Sequence, residues 1–180
     1  MQSIVNGKKF GLATVAGLIS GCLVHTTLVA FGVSAIIKEN DSLFFMIKLF
    51  GALYLLYLAY KVFRSEAELS LTSGDIPKKS MSQLFKQGFI MNVLNPKVSI
   101  FFLAFFPGFL FSNTMSTVLQ FYVLGLLFMG VSAIIFSSIA ILAGSISEYI
   151  KQHKRIGFYL KWLQVIVFVG IAILIFTSEK

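Results

Sequence analysis

Charged residues are scarce in this sequence. They make up 12% of 180 residues, where a soluble globular domain carries roughly 25%. Hydrophobic residues reach 57% and mean hydropathy is +0.89, a composition that water would not tolerate on a surface and a bilayer would. Acidic groups are the rarest of the charges. All seven (Glu39, Asp41, Glu66, Glu68, Asp75, Glu148, Glu179) fall in connections or at the ends of apolar runs. Membrane proton relays and cation sites usually place such a group inside a span; this chain places none there. The single cysteine, Cys22, lies within an apolar run, which leaves disulfides and thiolate metal sites unsupported and suits a small packing residue. No Ser/His/Asp set, metal-ligand cluster or cofactor motif is visible, so neither an enzyme, a metal nor a cofactor is expected.

Long apolar runs are abundant. Five stand out, at Phe10–Ile37, Leu43–Phe63, Leu84–Phe111, Thr117–Ile146 and Phe158–Thr177. Each reaches the roughly 20 residues that cross about 30 Å of hydrocarbon at about 1.5 Å per residue. A span must satisfy its own backbone, so helix is expected even in the Phe- and Ile-rich runs. The first run is too long and too glycine-rich for a signal peptide and is read as retained. The fold class is therefore an all-α integral membrane protein, a single domain over residues 1–180, with about five transmembrane helices.

The net charge of +8 raises nucleic acid as a partner, but the basic residues sit between apolar runs and follow a topology pattern. Eleven (Lys8, Lys9, Lys61, Arg64, Lys78, Lys79, Lys86, Lys151, Lys154, Arg155, Lys161) fall on alternate connections that share one side. Three (Lys38, Lys48, Lys180) fall on the other, and Lys97 lies inside a run. The basic side faces the cytoplasm, which puts the N-terminus inside and the C-terminus outside. Tyr57, Tyr60, Phe63, Tyr149, Tyr159 and Trp162 are placed to form an aromatic belt at the inner interface. The longest connection, residues 64–83, mixes Ser, Glu, Lys, Gly and Pro and reads as a cytoplasmic loop.

The strongest local feature is Asn92-Val-Leu-Asn95-Pro96-Lys97. Proline disfavours helix at the residue before it and opposes the carbonyl four residues back, while Asn and Pro are good residues for the cap and first position of a new helix. Asn95-Pro96 thus predicts the end of one half-helix and the start of another. From Phe85 to Leu94 is about 15 Å of helix, which puts the break near the midplane. A helix N-terminus there is expected to offer unpaired N–H groups and a partial positive charge, to which Lys97 adds a full one. Together they favour a carboxylate. The competing reading is a plain proline kink with Lys97 snorkelling.

In the first span Ala13, Gly17, Gly21 and His25 recur every four residues, a small-residue stripe for close helix packing. His25 continues the stripe and should face the bundle interior, where a neutral ring could exchange protons or simply pack. Ser137 and Ser138 in the fourth span are expected to bond back to their own helix. Gly51 and Ala52 mark a contact face of the second span, and the Tyr54 hydroxyl could reach a cavity.

The stretch Phe85-Lys-Gln-Gly-Phe-Ile-Met-Asn-Val-Leu-Asn-Pro-Lys-Val-Ser-Ile-Phe-Phe-Leu-Ala-Phe-Phe-Pro-Gly-Phe109 resembles the LysE/RhtB family of bacterial amino-acid exporters. Gly7-Lys-Lys-Phe-Gly11, Gly21 with His25, Phe31-Gly32 and Lys48-Leu-Phe-Gly-Ala-Leu-Tyr-Leu55 carry the similarity along essentially the whole chain. The resemblance implies a six-helix inner-membrane exporter of three-plus-three repeats, driven by the proton gradient. In that family a Pro-Gly-Pro motif in the first helix is the counterpart of Asn95-Pro96-Lys97. Here the first helix is expected to be missing, Met1 to Lys9 being its trailing end and the loop after it. Cys22 stands where many relatives carry a polar or acidic residue.

The expected function is efflux of a small amino acid, neutral or polar rather than cationic because no carboxylate within a span would balance a cationic side chain. Asn92, Asn95, Pro96, Lys97, His25 and Tyr54 are the expected substrate-binding residues. Ala13, Gly17 and Gly21 serve helix packing. The alternative is a non-transporting membrane subunit or inactive remnant of such an exporter, or a form that works only as a homo-oligomer. The bilayer is the remaining expected partner.

Overall fold

The computed structural model describes residues 2–39, 41–66, 79–152 and 155–177. Hydrocarbon forces a chain to pair its own backbone groups, and helices do so over most of these residues. In order they are α1 (Gln2–Asn6), α2 (Lys8–Leu28), a π-helical turn (Val29–Val33), α3 (Ser34–Glu39), α4 (Asp41–Arg64), α5 (Met81–Val93), α6 (Pro96–Phe105), a 3₁₀ turn (Phe106–Phe109), α7 (Thr117–Gln152) and α8 (Ile156–Thr177). Four segments are long and apolar enough to cross a membrane: Lys8–Ile36, Ser42–Arg64, Thr117–Ala143 and Ile156–Thr177. A fifth is made by α5 with Pro96–Phe109, bent by 53° at the join. The protein is an all-α integral membrane protein, and the expected spans match within a few residues at most ends. Most of the expected 64–83 loop, at 67–78, lies outside the described residues, as does His153.

Close approach of helices is bought by missing side chains. A Cβ on Gly17 would collide with the Phe85 carbonyl and one on Gly88 with the Thr14 carbonyl, so α2 and α5 meet backbone to backbone. Gly51 does the same for α4, lying directly against Ala104 of α6. The expected contact face at Gly51 and Ala52 is thus present, both residues being buried.

Two buried clusters result. Cys22, Val29, Ala30, Val33, Phe102, Phe106 and Phe121 join α2, the π turn, α6 and α7. Ala52, Leu55, Leu58, Ala104, Ala172 and Ile175 join α4, α6 and α8. α6 belongs to both. Phe102 and Phe106 are one turn apart on one face, and Ala104, about 200° round the helix from Phe102, lies on the other.

The ends of α4 and α8 meet where the basic and aromatic residues gather. Lys161 donates to the Ser65 carbonyl at 2.8 Å, Arg64 donates to the Tyr60 hydroxyl at 3.0 Å, and the Phe63 and Trp162 rings stand edge to face at 5.7 Å. The aromatic residues expected at one interface therefore do share one end of the bundle in this helix pair. At the opposite end Gln120, 2% exposed, orders the turn before α7. Its Oε1 accepts from the Phe111 and Ser112 amides at 2.8 and 3.0 Å, and its Nε2 donates to the Ser112 and Met115 carbonyls at 2.8 and 2.9 Å.

Candidate functional site

Pro96 brings no N–H, so the carbonyl four residues earlier, that of Asn92, loses its helical donor. The chain turns instead. The Asn95 amide reaches back to the Asn92 carbonyl at 3.0 Å, and the Asn95 side chain caps α6 by accepting from the Lys97 amide at 3.0 Å. The Val98 and Ser99 amides both reach the Asn95 carbonyl at 3.1 Å. The N-terminus of α6 therefore differs from expectation. Its amides are already paired, because the Asn-Pro sequence that breaks the helix also supplies its cap. What the end keeps is its dipole and the ammonium of Lys97.

On the other side of the break, the second donor to the Asn92 carbonyl comes from α2. His25 places Nε2 at 3.1 Å from it. A carbonyl oxygen only accepts, so Nε2 carries the proton and a neutral ring keeps Nδ1 as its acceptor. The ring is 3% exposed and rests against Phe102, centroid to centroid 5.5 Å. It also sits at the C-terminal end of α5.

The Asn92 side chain turns into the same contact. Its Nδ2 lies 3.7 Å from Cys22 Sγ, and its Oδ1 is buried with no hydrogen-bond partner. A Cβ on Gly21 would stand 2.7 Å from that oxygen. Gly21 thus gives the amide its seat, and the stripe ending in His25 faces the interior as expected. Ala13, at the start of the stripe, is only half-buried.

The hydroxyls near His25 are spoken for. Ser20, Thr26 and Thr27 each bond to the carbonyl one turn back, at 2.8 to 2.9 Å. Ser137 and Ser138, for which the same habit was expected, make no such bond, and Ser138 is exposed.

The structure brings His25, Asn92 and Gly21 together and joins them through the Asn92 carbonyl to Asn95, Pro96 and Lys97. It does not bring Tyr54 to them. Tyr54 packs on the α4–α8 cluster beside Tyr57, ring centroids 6.3 Å apart, because its position on α4 faces α8 rather than α2. Lys97 is exposed and meets no carboxylate among the described residues. Sequence reasoning missed the π turn at Val29–Val33, one turn beyond His25, where an extra residue per turn often accompanies a functional site.

Over residues 1–179 the sequence matches the LysE type translocator family. The chain belongs to this family. A translocator of this kind is a membrane transporter and not an enzyme. Similar proteins include an uncharacterized membrane protein of Vibrio cholerae, 31% identical over 156 residues (84% of this chain, 75% of the relative). A leucine efflux protein of Klebsiella pneumoniae is 30% identical over 178 residues, 98% of this translocator and 84% of the relative. A homoserine/homoserine lactone efflux protein of Salmonella typhimurium is 29% identical over 153 residues, 85% and 73%. No solved structure matches the translocator significantly.

Proposed function

We propose that the protein exports small neutral or polar amino acids across the bacterial inner membrane, coupled to the proton gradient. One observation carries this reading: α5 ends and α6 begins at Asn95-Pro96 with a 53° bend, so helix ends of opposite polarity adjoin there, His25 of α2 bonding to the first and Lys97 lying at the second. Such interrupted helices are where many secondary transporters hold substrate and coupling ion. The efflux activities named for the Klebsiella and Salmonella relatives support the substrate class.

In this reading the substrate carboxylate takes the place of the Asn95 side chain at the Lys97 amide and pairs with the Lys97 ammonium. His25 carries the proton. Protonation turns its bond to the Asn92 carbonyl into a charge-assisted one, which tightens α2 on α5; deprotonation loosens the same contact. Neutral and polar side chains are preferred because none of the seven carboxylates lies within a span to balance a cationic one. The basic ends of α4 and α8 face the cytoplasm, with the start of α2 inside and the end of α8 outside.

Efflux from vesicles preloaded with labelled leucine, homoserine or lysine tests this. Leucine or homoserine should leave faster than lysine under a proton gradient, and Lys97→Ala should abolish that efflux. Unchanged efflux in both Lys97→Ala and Asn95→Ala would refute the site.

A further inference from the structure

One face of α5 changes character along its length. Gln83, Lys86 and Gln87 lie on its first two turns, and Ile90 and Met91 follow on the same stripe at helical spacing. Ile90 and Met91 are more than half exposed, and Leu94 continues the apolar strip toward the break. Lys79, just ahead of the helix, folds back over this face and donates from Nζ to the Gln87 Oε1 at 2.9 Å. The result is an open cleft of about 430 Å³ walled by Lys79, Gln83, Lys86, Gln87, Ile90 and Met91, with Leu94 beyond it. Lys79 also forms part of a neighbouring cleft of about 540 Å³ with Asn6, Phe10 and Ser80. An ammonium is thus held in place between two openings, with a second, that of Lys86, beside it.

Among the described residues no acidic side chain lines either cleft, and neither lysine meets a carboxylate. Leu94 lies about 12 Å along the helix from Lys86, nearly half the hydrocarbon thickness, so polar head and apolar strip span one leaflet. Two cations side by side at the basic end of α5, with an exposed apolar track leading away from them, complement a molecule that has an anionic head and a hydrocarbon tail.

We infer that this cleft is a binding site for an anionic phospholipid. Its phosphate sits between Lys79 and Lys86, within reach of the Gln83 amide. One acyl chain lies along Ile90, Met91 and Leu94. A zwitterionic lipid brings its own cation toward the lysines and fits less well. Inorganic phosphate has no tail for the strip. The site is separate from the His25–Asn92–Lys97 arrangement and stands whether or not the proposed transport is correct.

Native mass spectrometry and thermal unfolding of the full-length protein in mild detergent test the inference, with phosphatidylglycerol, phosphatidylcholine and inorganic phosphate as probes. Phosphatidylglycerol should stay bound at collision energies that strip phosphatidylcholine, and should raise the melting midpoint further. Lys79→Gln with Lys86→Gln should weaken phosphatidylglycerol retention by about fivefold per lysine. Lys61→Gln with Arg155→Gln, which alters basic residues away from the cleft, should leave it unchanged. Equal retention of both lipids, equal retention by the Lys79/Lys86 variant, or equal protection by inorganic phosphate would overturn the assignment. If that variant does not fold, the contrast between lipids on the unmodified protein decides alone.

Discussion

The carbonyl that Pro96 leaves without a helical donor, that of Asn92, takes a hydrogen bond from the His25 ring at 3.1 Å. A backbone defect in one helix is repaired by a side chain of another, which makes α2 part of the break. Replacing His25 by Ala leaves a buried acceptor with only the Asn95 amide and opens a space against Phe102. The cost should be about 1–3 kcal/mol, read as a lower melting midpoint in detergent. Proton-driven efflux should be lost in the same variant.

Pro96→Ala restores the missing N–H and removes the ring that opposes the Asn92 carbonyl. The helix can then run through the break, a gain that an interior proline normally denies by about 3 kcal/mol. The variant should fold at least as stably as the parent and yet fail to transport. Melting curves paired with vesicle efflux check both halves. A straightened helix that still transports would detach function from the break.

Gly17→Ala and Gly88→Ala place a methyl against the backbone of the facing helix, which cannot move aside as a side chain can. Both should lower stability by about 1–3 kcal/mol or prevent accumulation in the membrane. Gly130→Ala and Gly170→Ala have nothing within 4 Å of the new methyl and should be neutral or stabilising. The four melting midpoints give the comparison.

Asn95 has two separable tasks, capping α6 and leaving the break open to an anion. Asn95→Asp keeps an oxygen for the Lys97 amide, so the melting midpoint should stay close to that of the parent. The added negative charge opposes a substrate carboxylate and should raise the KM for efflux about tenfold or more. Asn95→Ala should instead lose about 1 kcal/mol of stability. An unaltered KM in Asn95→Asp would argue against carboxylate binding there.

Much of this architecture can be read from the sequence, because the strongest constraints are local or compositional. Apolar length marks the five spans, Asn95-Pro96 marks the break and its cap, and the spacing of Gly17, Gly21 and His25 marks the buried face of α2. The rest depends on tertiary partners. Nothing in the sequence distinguishes Tyr54, which packs toward α8, from a tyrosine turned toward α2. The amides at the start of α6 are expected to be unpaired, yet the Asn95 side chain and carbonyl accept from them. Asn92 read as a cavity residue, although its amide faces Gly21 and Cys22. The π turn at Val29–Val33 has no sequence signal in a run of Val, Ala, Phe and Gly.

Gln120 is the clearest omission. A lone glutamine at the start of a span reads as interfacial, yet its amide serves four backbone groups of the preceding turn. Gln120→Leu removes all four bonds while keeping much of the bulk. It should cost about 1–3 kcal/mol, since the part-buried groups it leaves unpaired carry a penalty that water only partly relieves. Gln120→Glu should also destabilise, its second oxygen facing the Ser112 and Met115 carbonyls. Faster proteolysis between Leu110 and Ser116, with a lower melting midpoint, is the expected readout.

Because α6 has one face in each buried cluster, it cannot swing freely about its joint with α5. Tilting toward Phe121 compresses one set of contacts as it parts Ala104 from Gly51, and tilting back does the reverse. A ten-residue lever with a stop on either side has little room to move, so a load applied at its capped tip would be felt at once by α7 and by α4.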